Sequence, residues 1–165
     1  MKAVIATSLG QITIELNQEK APKTVENFLA YVESGFYDGT IFHRVIEGFM
    51  IQGGGMDKEM KTKPTNPSIE NEANNGLSNL HGTIAMARTS NPHSATAQFF
   101  INTEDNRGLD FQSETEQGWG YCVFGKVTDG IEVVIAIDEK PTTTRNGFQD
   151  VPEEIVTIDK VSMLD

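Results

Sequence analysis

The chain has a single cysteine, Cys122, among 165 residues. It can form no disulfide within itself, so a reducing compartment, the cytoplasm, is the expected location. Cys122 lies in the apolar run YCVFGKV at 121–127, and a buried, inert thiol is expected there rather than a nucleophile. Basic residues are also scarce. The 13 Lys and Arg stand against 24 Asp and Glu, a net charge of −11. A phosphate backbone calls for a basic surface, so the balance argues against nucleic acid as the main partner and equally against an anionic membrane. No apolar run approaches the ~20 residues of a membrane helix. The opening MKAVIATSLGQITIEL turns polar by Thr7, unlike a signal peptide. What remains is 38% apolar content, enough for one soluble domain over 1–165 with a real core.

The common catalytic inventories are missing as well. His43, His81 and His93 have no metal-ligand spacing. There is no GxSxG elbow. QGGGM at 52–56 lacks the GxxxxGK[ST] of a phosphate loop and no helix follows it, so it reads as a strand exit with tight turns. No metal and no cofactor are expected.

What is present is a series of short strands. Residues 3–6 and 11–16 flank Ser8-Leu9-Gly10 as a hairpin, with Ile12, Ile14 and Leu16 alternating against Thr13 and Glu15. Residues 22–34 form an amphipathic helix, with Pro22 in its first turn, Val25, Phe28, Leu29 and Val32 at helical spacing, and Gly35 as its stop. Residues 54–82 are polar and aperiodic, a length that in a compact domain signals function or disorder. Strands are expected at 83–87, 98–102, 121–127 and 154–163, with a short helix at 131–137. About eight strands and two helices without a βαβ rhythm suit a sandwich or a barrel.

FHRVIEGFMIQGG, residues 42–54, is the least ordinary stretch. It reads as two short strands around Glu47-Gly48, yet carries Arg44 in one and Gln52 in the other. Taken alone, Arg44 is a solvated strand charge, and Phe49, Met50 and Phe100 are core residues. A two-residue loop sets His43 against Gln52. A three-residue connection sets Arg44 against Gln52 and Ile46 against Met50. One residue of slip exchanges the faces, and periodicity does not choose between them. In QFF, Gln98 and Phe100 share one face and Phe99 takes the other.

FHRVIEGFMIQGG, GTIAMARTSNPHSATAQFFIN and YCVFGKV, in this order, resemble the cyclophilins, the peptidyl-prolyl cis-trans isomerases. The resemblance spans essentially the whole chain. NEANNGLSNLHGT and QGWGYCVFGKV are similar to the short bacterial cytoplasmic branch. The resemblance implies a mainly β fold, an eight-stranded antiparallel closed barrel capped by two α-helices, with a substrate groove on its outer surface. It implies that Arg44 is the catalytic arginine and shares a face with Gln52. Phe49, Met50, Gln52, Phe100 and Leu109 then line or adjoin the proline pocket. Ala87 and Arg88 lie on the segment that pairs with substrate backbone, Gln98 lies on the neighbouring groove wall, and Tyr121 sits where many members carry histidine. His43 is expected to be structural. Before Leu109, where many members place a large aromatic, this chain has Gly108, and Trp119 lies beyond a polar insertion. Cyclosporin-type ligands are therefore expected to bind with weakened affinity. The implied partners are proline-containing peptides and unfolded or flexible proteins, bound by a monomer.

That reaction explains the empty inventories. Rotation about an X-Pro bond needs no nucleophile, metal or net proton transfer. It needs a site complementary to the twisted amide. A non-catalytic proline-peptide-binding or chaperone module is the rival reading, and isomer exchange on a proline peptide distinguishes the two. A small-molecule enzyme on the same scaffold has no supporting residues.

Overall fold

Alternating apolar side chains decide how the first two strands pack. In the computed structural model, which describes residues 1–164, β1 (Lys2–Thr7) and β2 (Gly10–Leu16) pair antiparallel with Ile5 opposite Ile12 and Ala3 opposite Ile14. All four side chains are fully buried. The other strands are β3 (Thr40–Ile41), β4 (Arg44–Ile46), β5 (Met50–Gly53), β6 (Thr83–Met86), β7 (Phe99–Asn102), β8 (Val123–Asp129), β9 (Thr142–Arg145), β10 (Phe148–Pro152) and β11 (Thr157–Leu164). Nine of them form one antiparallel sheet in the order β3-β11-β1-β2-β8-β6-β7-β5-β4, and β9 and β10 form a separate hairpin.

The sheet differs from the expected eight-stranded closed barrel in count and in closure. Residues 40–46 do not form one strand: β3 pairs with β11 at one sheet edge, and β4 pairs with β5 at the other. Only Phe42 and His43 separate β3 from β4, so the sheet must curl until its edges meet. No ladder joins those two edges. The gap is bridged by the chain itself and by the Gly54 N–H, which donates to the Ile41 carbonyl at 3.3 Å.

The side chains on the inner face of this curl make the core. Val45, Ile51, Ile84, Phe99, Ile101 and Phe124 point inward together with the β1–β2 residues. Helix α1 (Pro22–Glu33) adds Val25, Phe28 and Tyr31. The Phe28 ring lies 5.3 Å from Tyr37, 5.3 Å from Phe124 and 6.0 Å from Phe99, in tilted and edge-on arrangements favoured by aromatic quadrupoles. Helix α2 (Ile131–Asp138) adds Val134 and Ile137.

Ala21 provides no side-chain cap for α1. Instead the Glu72 carboxylate accepts the backbone N–H groups of Lys23 at 3.2 Å and Thr24 at 2.7 Å, and also the Thr24 hydroxyl. A negative group at unsatisfied N–H donors is the favourable polarity for a helix start. The aperiodic stretch 54–82 is thus structural where it meets α1. Its amides continue the role: Asn71 donates to the carbonyls of Pro92 and Gly120, and its Oδ1 accepts the Ala73 N–H.

Candidate active site

The hairpin β4–β5 has the three-residue connection. Arg44 pairs with Gln52, Val45 with Ile51 and Ile46 with Met50. Two local features hold this register. Gly48 has φ +72°, the left-handed conformation that closes a three-residue turn. Its N–H donates to the Asp138 carboxylate at the end of α2, which also accepts the Thr103 hydroxyl at 2.8 Å. With Val45 and Ile51 buried in the core, the alternation turns Arg44 and Gln52 outward together.

The outward row continues across the sheet. Gln52 pairs with Phe100, Phe100 with Ala85 and Ala85 with Val123. Met50, Ala85, Phe100 and Val123 form an apolar cluster on this outer face, separate from the core, with Phe49, Leu109 and Tyr121 packed against it. Beside that cluster is a pocket of about 300 Å³ lined by Arg44, Phe49, Met50, Gln52, Ala87, Arg88, Phe100, Leu109 and Tyr121. These are nine of the ten site residues expected from sequence. The tenth, Gln98, does not line the pocket but stands behind it, where its Oε1 accepts the Gln52 Nε2–H at 2.9 Å. Gln52 Oε1 in turn accepts a long contact from Arg44 Nη1 at 3.4 Å. The guanidinium is otherwise exposed and free to meet a ligand.

The glycines after Gln52 allow this packing. A Cβ on Gly53 would lie 2.6 Å from the Ile41 carbonyl oxygen, and one on Gly55 would lie 2.7 Å from Gln98 Cδ. The QGGG run is a strand exit under close backbone and side-chain approach, not a phosphate loop.

His43, next to Arg44, is buried, and its Nδ1 has no hydrogen-bond partner. Burial first, and the Arg44 charge second, lower its pKa to about 4. It is a neutral structural side chain at ordinary pH. Among the described residues no group of three His, Cys, Asp or Glu is placed to hold a metal ion.

The sequence and the curled sheet match a known family. The profile of the family described as "Cyclophilin type peptidyl-prolyl cis-trans isomerase/CLD" matches residues 2–163. The chain belongs to the cyclophilin family. This cyclophilin is 60% identical over 158 residues to peptidyl-prolyl cis-trans isomerase cyp18 of Streptomyces antibioticus, covering 96% of this chain and 95% of that protein. It is 57% identical over 157 residues to peptidyl-prolyl cis-trans isomerase B of Escherichia coli K12, covering 95% and 96% respectively. A solved Cryptosporidium parvum cyclophilin type isomerase, crystallised in the presence of the dipeptide Ala-Pro, superposes with a TM-score of 0.83 at 27% identity, covering 100% of this chain and 99% of that one. The cyclophilin is accordingly a peptidyl-prolyl cis-trans isomerase whose substrates are proline-containing peptides. Among its described residues no helix is long and apolar enough to cross a membrane.

Behind the pocket of this cyclophilin lies an amide network that sequence reading missed. Asn102, fully buried, donates to Asn79 Oδ1 and Thr83 Oγ1, both at 3.0 Å. Asn106 donates to Asn102 Oδ1 and to the Phe49 carbonyl, both at 2.8 Å. Asn79 donates to the carbonyls of Leu109 at 3.3 Å and Tyr121 at 3.2 Å and to the Asp110 carboxylate at 3.0 Å. Three pocket residues from three chain segments are thereby held from one point. The available signal was Asn102 at the end of an apolar strand, a polar side chain where burial requires partners.

The Gly108 departure is visible as open space. A Cβ there would meet nothing within 4 Å. Trp119 lies elsewhere, between His93 and Phe111 at ring distances of 4.9 and 5.1 Å, and does not line the pocket.

Proposed function

We propose that Arg44 is the catalytic residue of this isomerase and that Phe49, Met50, Phe100 and Leu109 hold the proline ring. The resonance barrier of the peptide bond is ~18–20 kcal/mol, and it falls if the site binds the twisted amide better than either planar isomer. In the twisted amide the proline nitrogen regains its lone pair and becomes an acceptor. The Arg44 guanidinium is a permanently charged, planar donor suited to that atom. Gln52, backed by Gln98, orients the guanidinium, and Ala87 and Arg88 meet the substrate backbone. The observation that carries the reading is the outward pairing of Arg44 with Gln52 beside the Phe49, Met50, Phe100 and Leu109 side chains, while the other arginine of the pocket, Arg88, is tied to backbone carbonyls.

The same reading covers the wider role. Proline-containing segments of unfolded or flexible proteins are the clients, since the pocket is open to solvent at the outer face of the sheet. The reading takes the protein as a single-domain monomer. The lone buried Cys122 suits a cytoplasmic setting. Gly108, with no side chain beside the pocket, supports a weakened hold on cyclosporin-type ligands.

The test is a protease-free isomerase assay on an X-Pro peptide with Arg44→Ala. Because Arg44 is exposed, the variant is expected to keep its fold by circular dichroism. Its kcat/KM is expected to fall on the order of a hundredfold, the usual cost of removing a transition-state donor. Unchanged turnover in the folded variant would overturn the assignment.

A further inference from the structure

The charge at the pocket opposes that of the molecule. The chain carries −11 overall, yet two of its four arginines, Arg44 and Arg88, line the pocket and no carboxylate does. The single ion pair among the described residues is Lys23 with Glu70, so neither arginine is neutralised by an acid. Arg44 is committed to the reaction, and meeting the substrate backbone does not by itself use the charge of Arg88.

Arg88 is held rigidly by neutral groups. Its Nε donates to the Gly120 carbonyl at 2.9 Å, and its Nη1 donates to the carbonyls of Thr89 at 2.9 Å and Ser90 at 3.4 Å. The guanidinium carbon sits 4.7 Å over the Tyr121 ring, and that ring meets Phe100 edge-on at 5.6 Å. Among the described residues Nη2 has no hydrogen-bond partner. A fixed, charged fork with one free amino group is preorganised for an anionic acceptor and loses little side-chain freedom on binding it. Approach is open: a hollow of about 380 Å³ lined by Arg88, Gly108, Glu116 and Tyr121 adjoins the pocket, and Gly108 puts no side chain into it. Glu116, which lines the same hollow, stands outside ion-pair distance of Arg88.

We propose that Arg88 makes this isomerase select clients carrying a carboxylate side chain within two residues of the isomerising proline. The inference rests on the pocket being the substrate site, as argued above. The global negative charge does not cancel it, because at about 0.15 M salt fields from distant charges are screened beyond ~8 Å while a direct contact is not.

The experiment uses peptides with one X-Pro bond and either Glu or Gln at each of the four flanking positions, in about 0.15 M salt. Affinity is read by NMR titration and turnover by exchange spectroscopy. In at least one position the Glu peptide is expected to bind and exchange about three- to fivefold better than its Gln partner, the range of an exposed charge pair. Arg88→Gln is expected to bring that ratio to about one. A wild-type ratio near one at all four positions overturns the proposal, and so does a preference that survives Arg88→Gln. The wild-type ratio alone decides if that variant does not fold. The Gln peptides separate the two levels of inference. If they bind and exchange at the Arg44 and Tyr121 resonances with no Glu preference, only the Arg88 role fails. If all peptides shift resonances elsewhere, the site assignment fails with it.

Discussion

Arg44 and His43 show how far two adjacent side chains diverge when a chain crosses from one face of a sheet to the other. Arg44 is exposed and charged, whereas His43 is buried with an orphan Nδ1. The folded pKa of His43, about 4, lies below its ordinary value of 6.5. Between those values the unfolded chain binds the proton and the native state does not. His43 therefore contributes stability that is fully present above about pH 6.5 and is lost as pH falls toward 4. A shift of this size corresponds to about 3 kcal/mol. Urea titrations across that window are expected to show wild-type stability falling more steeply with acid than that of His43→Gln. Parallel profiles for the two would show that the imidazole is not held neutral by burial.

Among the elements, the hairpin β4–β5 and the turn after it govern the site. Gly55 illustrates the dependence. Its backbone needs no unusual φ, but a side chain there would meet Gln98 Nε2 at 2.6 Å and Cδ at 2.7 Å. Gly55→Ala is expected to expel the Gln98 side chain and break its 2.9 Å hydrogen bond with Gln52, leaving Gln52, the partner of Arg44, unsupported. kcat/KM is expected to drop about three- to tenfold, in the range of one lost side-chain hydrogen bond, with the melting transition still cooperative. Full activity in Gly55→Ala would separate Gln98 from catalysis. The hairpin β9–β10 was hidden for the converse reason. Its turn, Asn146-Gly147, has φ +51° and +82°, the primed geometry for which Asn-Gly is a strong signal. The flanking TTTR and FQDVP are mostly polar and partly exposed, so no apolar alternation marked them as strands.

For the molecule as a whole, the lone thiol reports on unfolding. Cys122 is 4% exposed, its Sγ lies 3.4 Å from the Thr24 hydroxyl, and burial pushes its pKa up to about 11. The reactive thiolate is therefore scarce and shielded. At pH 8 a thiol reagent is expected to label the native protein at least about a hundredfold more slowly than the urea-unfolded chain, with labelling rising along the same denaturation curve as loss of circular dichroism. Equal rates in the native and unfolded states would refute a sealed α1–β8 seam.

Local pattern alone was enough to locate α1, the β1–β2 hairpin and the buried nature of Cys122, because a 3.6- or two-residue period and an apolar neighbourhood are properties of contiguous residues. The long motifs carried the family and eight of the nine residues that line the pocket, and the resemblance supplied the ninth, Leu109. The register of β4–β5 was beyond local pattern, since a period of two is indifferent to a one-residue slip. Tertiary structure decided it by burying Val45 and Ile51 and by tying Gly48 to Asp138, 90 residues away. The cap that Glu72 gives α1 and the amide network from Asn79 to Asn106 have the same origin. A polar group that finds its partner in a distant segment leaves no periodic trace in its own. Only folding, which removes water from both groups, reveals that they must meet.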